Sequence, residues 1–200
     1  MSFTLTELET AASDVIQILK TVPEFASARV AVIGGLALWK YMPRGRTTED
    51  VDLIINLDNA PNGVKNILLS LYSTVFVQRA QYFFYKSPNG NLIQIDICAS
   101  WQSPYLPPAA KVVSTIVDGV VPYISPVDLI VFKINSCGLR AENTKRRRDA
   151  ADAAVLLDEE TQSGPLNLTA QQKSTVEMGL IDVVNVSGKS ENWWKQRLGL

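Results

Sequence analysis

The sequence predicts an α+β fold, a mixed β-sheet flanked by helices and followed by a helical C-terminal part. Three observations carry this reading. A short apolar strand at residues 29–33 runs into Gly34-Gly35 and a helix. A second apolar strand, led by two aspartates, follows at 51–56. After Ser125 the hydrophobic period becomes helical and stays so to the end of the chain. A chain of 200 residues with 46% hydrophobic content suits one ordinary domain, or a compact core with a helical appendage. The expected division is an α/β core over 1–124 and a helical region over 125–200 that closes one side of a cleft.

Taken in order, residues 4–20 read as a helix, because Thr4 and Glu7 can form a capping box and Leu5, Leu8, Ala12, Val15, Ile16 and Leu19 recur at helical spacing. Pro23 ends it. After the strand at 29–33, residues 36–42 continue as a short helix with Leu36, Trp39 and Lys40 inward. Pro43 to Arg46 make a loop. The strand at 51–56 is nearly continuous in apolar residues, as expected of a central strand covered on both faces. Residues 62–73 read as a helix burying Val64, Ile67, Leu68 and Leu71. The period then becomes that of strands. Segments 81–86 and 92–99 flank Ser87-Pro88-Asn89-Gly90-Asn91 as a hairpin, and 112–117 and 120–124 flank Asp118-Gly119 as a second one. Ser125-Pro126 opens a helix to about Arg140, with a serine cap and proline in the first turn. Helices at 146–157, 170–185 and 190–198 complete the chain.

Composition excludes several classes of function. The net charge of −1 gives no global field toward nucleic acid or membranes, and Lys145-Arg146-Arg147-Arg148 is the one dense basic run. Two cysteines, Cys98 and Cys137, are too few for a disulfide framework and read as buried, reduced thiols. The acidic, amphipathic N-terminus has no secretory pattern, and no run reaches the length of a membrane span, so a soluble cytoplasmic protein is expected. Histidine is absent. Histidine triads, dyads and general bases are thereby removed, leaving carboxylates, metals, lysine and hydroxyls to carry chemistry.

The carboxylates are placed for it. Strand alternation points Asp50 and Asp52 to one side, and Val51, Leu53 and Ile55 to the other. Two such carboxylates repel unless a cation lies between them, and a hard divalent ion with oxygen ligands is the natural candidate. Gly34-Gly35 supplies backbone N–H groups and a helix N-terminus suited to a phosphate. In the strand at 92–99, Ile93, Ile95 and Ile97 share one face, while Asp96 lies on the other with Gln94. An aspartate in so apolar a strand costs desolvation unless it is paired or metal-bound. If the two strands are neighbours, the three aspartates meet on one surface.

In these features the sequence resembles the nucleotidyltransferase-fold superfamily. Its signature is a hydrophobic residue before paired small residues, then Asp-hydrophobic-Asp, then a third aspartate on a neighbouring strand. These fall on Ile33-Gly34-Gly35, Asp50-Val51-Asp52 and Asp96. The form Arg-x-Thr-x-Asp, here Arg46, Thr48 and Asp50, is similar to the branch containing bacterial abortive-infection toxins and small transferases. Lys133, Arg140, Asp149 and Asp152 resemble a later helical motif of that branch. The resemblance covers about residues 30–157. It implies a nucleotidyltransferase-like sheet and a magnesium-dependent (or manganese-dependent) enzyme. Such an enzyme transfers a nucleoside monophosphate from a nucleoside triphosphate to a hydroxyl of a small molecule, protein or RNA. Asp50, Asp52 and Asp96 would be catalytic and metal-binding. Gly34, Gly35, Arg46, Thr48 and Lys133 would hold the nucleotide.

Each feature has a plainer reading beside that one. Gly34-Gly35 can be a tight turn, and Asp96 can pair with Arg46 or Lys133. Lys133 and Arg140 can be paired with acidic neighbours, with Asp149 and Asp152 tying helices together. The basic run can be a solvated helix start. Tyr82 to Tyr85 read as core and sheet surface, although one ring can stack on a base, and Trp193 and Trp194 read as docking the last helix. The alternative function is a catalytically inactive protein of the same fold, serving as a nucleotide-binding or protein-interaction module.

Overall fold

The structure, a computed structural model, describes residues 2–200. The chain divides into two units, one ending at Ile124 and one spanning Ser125–Leu200.

The first unit begins with α1 (Leu5–Thr21). Thr4 Oγ1 accepts the Glu7 N–H at 3.2 Å, and the Glu7 carboxylate accepts the Thr4 N–H at 2.7 Å, which is the expected capping box. The apolar stripe of α1 buries Leu8, Ala12, Val15, Ile16 and Leu19. These residues join one core with Val30 and Val32 of β1 (Arg29–Ile33), and Val51, Leu53 and Ile55 of β2 (Asp50–Ile55). Ile93, Ile95 and Ile97 of β5 (Leu92–Ala99) complete it. Full burial of each such side chain stabilises by about 1.5–3 kcal/mol relative to exposure, so this stripe decides which face of the sheet is the core.

Between these elements lie α2 (Gly34–Tyr41), α3 (Asn62–Leu71), β3 (Phe76–Arg79) and β4 (Tyr82–Lys86), and β6 (Lys111–Val112) follows β5. The sheet order is β3-β4-β5-β2-β1-β6. The central pair β2 and β5 is parallel, with Asp52 opposite Asp96, and the other pairs are antiparallel. The structure is therefore a mixed six-stranded sheet with helices, the α+β class expected.

Local expectations are corrected at four places. The hairpin over 112–117 and 120–124 does not form. Only Lys111–Val112 pairs with β1, a 3₁₀ turn follows at Val113–Thr115, and Tyr123 meets Val32 as a single parallel bridge. Pro122 has no N–H to give a ladder, and the two segments bond to successive positions along the free edge of β1 instead of to each other. Val117 and Val120 are accordingly exposed around the Asp118-Gly119 turn. Strand β3 was not expected: four residues ending in Gln78-Arg79 carry too little period to read. Leu71, expected to be buried, is exposed at the end of α3. Lys40, expected inward, is exposed and bonds Glu9 at 2.8 Å.

The second unit is helical: α4 (Pro126–Leu139), α5 (Asn143–Glu160), α6 (Ala170–Ser187) and α7 (Glu191–Leu198). Ser125 caps α4 by accepting the Asp128 N–H at 3.1 Å. α4 is apolar on most sides and buries Leu129, Ile130, Val131, Ile134 and Cys137. At Gly179 of α6 an added Cβ would lie 2.9 Å from the Ile134 carbonyl oxygen, so the two helices touch backbone to backbone. Trp194 is fully buried with its Nε1–H donated to Ser187 Oγ at 3.1 Å, docking α7. Among the described residues, no helix is long and apolar enough to cross a membrane.

Candidate metal and phosphate site

The parallel register of β2 and β5 builds the site. Asp52 is paired with Asp96 and Asp50 with Gln94, and all four side chains project from the face opposite the α1 core. One carboxylate oxygen from each of Asp50, Asp52 and Asp96 lies within 4.8 Å of the others, and all three residues are half-buried. Sequence parity places Asp50 with Asp52; the parallel pairing brings in Asp96.

Two neighbours hold these carboxylates. Thr48 Oγ1 donates to Asp50 Oδ1, and Gln94 Nε2 donates to both oxygens of Asp96, at 3.1 and 2.9 Å. Gln94 is the residue that sequence reasoning left without a role. Its signal was there: it lies two positions before Asp96 on the same strand face.

The glycines fit the other side of the site. α2 starts at Gly34 itself, with Ile33 as its cap residue and no side-chain cap. An orphan donor of this helix start is met from β2 instead, because Gly35 N–H donates to Asp52 Oδ2 at 3.2 Å. Gly34 has φ +68°, and a Cβ there would overlap the Asp52 carboxylate. A Cβ on Gly35 would lie 2.6 Å from Thr48 Oγ1 and 3.5 Å from Arg46 Nη1. Arg46 and Thr48 thus border the glycine pair. Gly34→Ala is expected to cost about 1–2 kcal/mol for the left-handed backbone alone, and to displace Asp52 as well. Thermal unfolding and manganese titration of the variant would check both effects.

Lys133 is in the second unit. Its ammonium lies 2.8 Å from Asp149 and 2.9 Å from Asp152, with all three side chains buried, and Arg140 Nε adds a bond to Asp149 at 3.0 Å. The four residues of the late helical motif therefore form one ionic cluster joining α4 to α5. In the basic run, Arg146 bonds Asp182 at 2.8 Å and Lys145 bonds Glu142 at 2.8 Å, while Arg147 and Arg148 are exposed. Cys98 and Cys137 form no disulfide; Cys137 is buried as expected, whereas Cys98 is only half-buried, with its Sγ 3.2 Å from Ser103 Oγ. Burial pushes the Cys137 thiol up, which suits a packing residue and not a nucleophile.

The donor set matches a hard divalent cation: three carboxylate oxygens, held from outside by a hydroxyl and an amide, with a helix N-terminus beside them. Comparison with known proteins bears on the fold and the family. No curated protein matches the chain significantly. Among solved structures, an antigenic nucleotidyltransferase-like protein from Paracoccidioides brasiliensis superposes with a TM-score of 0.62 at 20% identity, over 99% of this chain and 96% of that one. At that identity the likeness shows the fold. Residues 17–179 match the family described as nucleotidyl transferase AbiEii toxin, type IV toxin–antitoxin system. A match over most of the chain, on a sheet of this topology, makes the protein a member of the AbiEii nucleotidyltransferase family.

Proposed function

We propose that the protein transfers a nucleoside monophosphate from a nucleoside triphosphate to an acceptor hydroxyl, with magnesium or manganese held by Asp50, Asp52 and Asp96. The observation that carries this is the convergence of three carboxylate oxygens within 4.8 Å beside the N-terminus of α2. A divalent ion bound there would neutralise the triphosphate and make the acceptor hydroxyl more acidic.

The protein's own part is positioning. The Gly34-Gly35 backbone and the positive end of α2 hold the outer phosphates, with Arg46 beside them. Thr48 fixes the Asp50 rotamer and Gln94 fixes that of Asp96. The acceptor oxygen attacks the α-phosphorus, the bond to the β-phosphate breaks, and pyrophosphate leaves toward the glycines. Asp96 is on the strand farther from α2, and in this reading its carboxylate takes the proton of the incoming hydroxyl. Lys133 serves structure in this reading, since its ammonium already neutralises two carboxylates.

The test is incubation with nucleoside triphosphates labelled at the α- or the γ-phosphorus, with magnesium and a cell extract. The expected product carries the α-label and never the γ-label. Transfer of the γ-label, or nucleotide binding with no labelled product in any extract, would overturn the reading; the second result would favour a binding module.

A further inference from the structure

The face that carries the triad continues across the sheet beyond β5. The register places Asp50, Gln94, Phe84 and Val77 in one row over β2, β5, β4 and β3. Residues directly opposite share a face, so Phe84 lies beside the carboxylates and not in the core. Phe83 and Tyr85 take the core side, where Phe83 stacks on Phe76 at 5.1 Å. Tyr82, two positions from Phe84, shares its face and is 46% exposed. The two rings lie 6.4 Å apart, tilted by 51°. Arg79 is directly opposite Tyr82, is exposed, and has no carboxylate partner among the described residues. The turn between them contains Ala80 at φ +50°, the one described residue other than glycine with a positive φ. A strained two-residue turn thus holds Arg79 and Tyr82 side by side.

We infer that Tyr82, Phe84 and Arg79 form the acceptor subsite, stacking the terminal nucleobase of an acceptor strand and contacting its phosphate. This rests on the reading proposed above. The glycines and α2 lie on the β1 side of the carboxylates, and the ring pair lies on the β5 side. In-line displacement sends pyrophosphate to one side of the α-phosphorus and admits the attacking oxygen from the other. With pyrophosphate directed to the glycines, the acceptor comes over β5 and β4. Strands are spaced by about 4.8 Å, so Phe84 is about 10 Å along the row from Asp50, a nucleotide-sized step. An exposed ring, Tyr82, backed by the half-buried ring of Phe84 and next to a guanidinium with no carboxylate partner, matches a base followed by a phosphate.

The experiment uses the full chain and measures two affinities separately. One is for manganese with a non-hydrolysable nucleoside triphosphate. The other is for a short, fluorescently labelled, mixed-sequence single-stranded RNA with a free 3′ hydroxyl. Tyr82→Ala is expected to weaken RNA binding about tenfold or more, and Tyr82→Phe to keep it. Arg79→Ala is expected to reduce the slope of log affinity against log salt by about one. Donor affinity should be unchanged in all three variants, and the exposure of Tyr82 and Arg79 keeps the fold out of the comparison. RNA binding that is absent in the wild type, or indifferent to Tyr82→Ala and Arg79→Ala, overturns the subsite. Loss of donor binding instead would assign the rings to the donor base and overturn it too. A wild-type protein that binds no manganese nucleotide contradicts the transferase reading itself, which the donor measurement detects independently.

Discussion

Asp52→Asn is expected to lower nucleotidyl transfer by about a thousandfold or more while the protein stays folded. The substitution removes one unit of ligand charge from the centre of the triad at nearly constant size. Charge stabilisation by a catalytic metal is worth several kcal/mol in the transition state, and each 1.36 kcal/mol is about tenfold in rate. The fold should survive because the asparagine carbonyl can still accept the Gly35 N–H that Asp52 accepts at 3.2 Å. Single-turnover transfer of α-labelled nucleotide, with circular dichroism alongside, separates the two effects. Wild-type rates in the folded variant would remove Asp52 from the chemistry.

Lys133→Met is expected to cost about 3–5 kcal/mol of stability, the usual result of leaving buried charges without their partner. Asp149 and Asp152 are buried, and Lys133 is the cation within 3 Å of both. Arg140 still reaches Asp149, but its own side chain is half-exposed and its contribution is screened. For a chain of this size the loss corresponds to a fall in Tm of roughly 10 °C, readable by calorimetry. A variant with the wild-type Tm and a weakened affinity for nucleotide would instead return Lys133 to the phosphate-binding role that the family resemblance implies.

These two residues also show where sequence reasoning reaches its limit. The aspartate pair was legible because strand alternation is a local rule: Asp50 and Asp52 must share a face whatever the tertiary structure. The third carboxylate needed one more fact, that β5 lies parallel beside β2, and spacing along the chain does not contain it. From the residues alone Asp96 was legible only as an anomaly in an apolar strand; its place beside the aspartate pair came from the family resemblance. Lys133 looked equally suited to a phosphate and to a carboxylate, because helical spacing says which face it occupies and not what stands opposite.

The helices after Ser125 were legible from period and caps, and the hairpin at Ser87–Asn91 from its turn residues. The segment after Lys111 was not, since Pro122 and the bonds that both of its ends make to the edge of β1 outweigh the β-propensity of its valines. The helix N-terminus at the glycine pair was legible, but not that Gly34 and Gly35 themselves form the first turn of α2. That first turn depends on a carboxylate from another strand meeting the open helix end, a contact that no local pattern encodes.

Manganese titration followed by electron paramagnetic resonance tests the metal-binding role of Asp50, Asp52 and Asp96 most directly. The wild-type protein, with a non-hydrolysable nucleoside triphosphate present, should remove the free-manganese signal beyond what the nucleotide alone removes, and should saturate at one or two ions per chain. Asp52→Asn and Asp96→Asn should each shift that saturation to much higher manganese. A wild-type titration indistinguishable from nucleotide alone, or one that both variants reproduce, would contradict it.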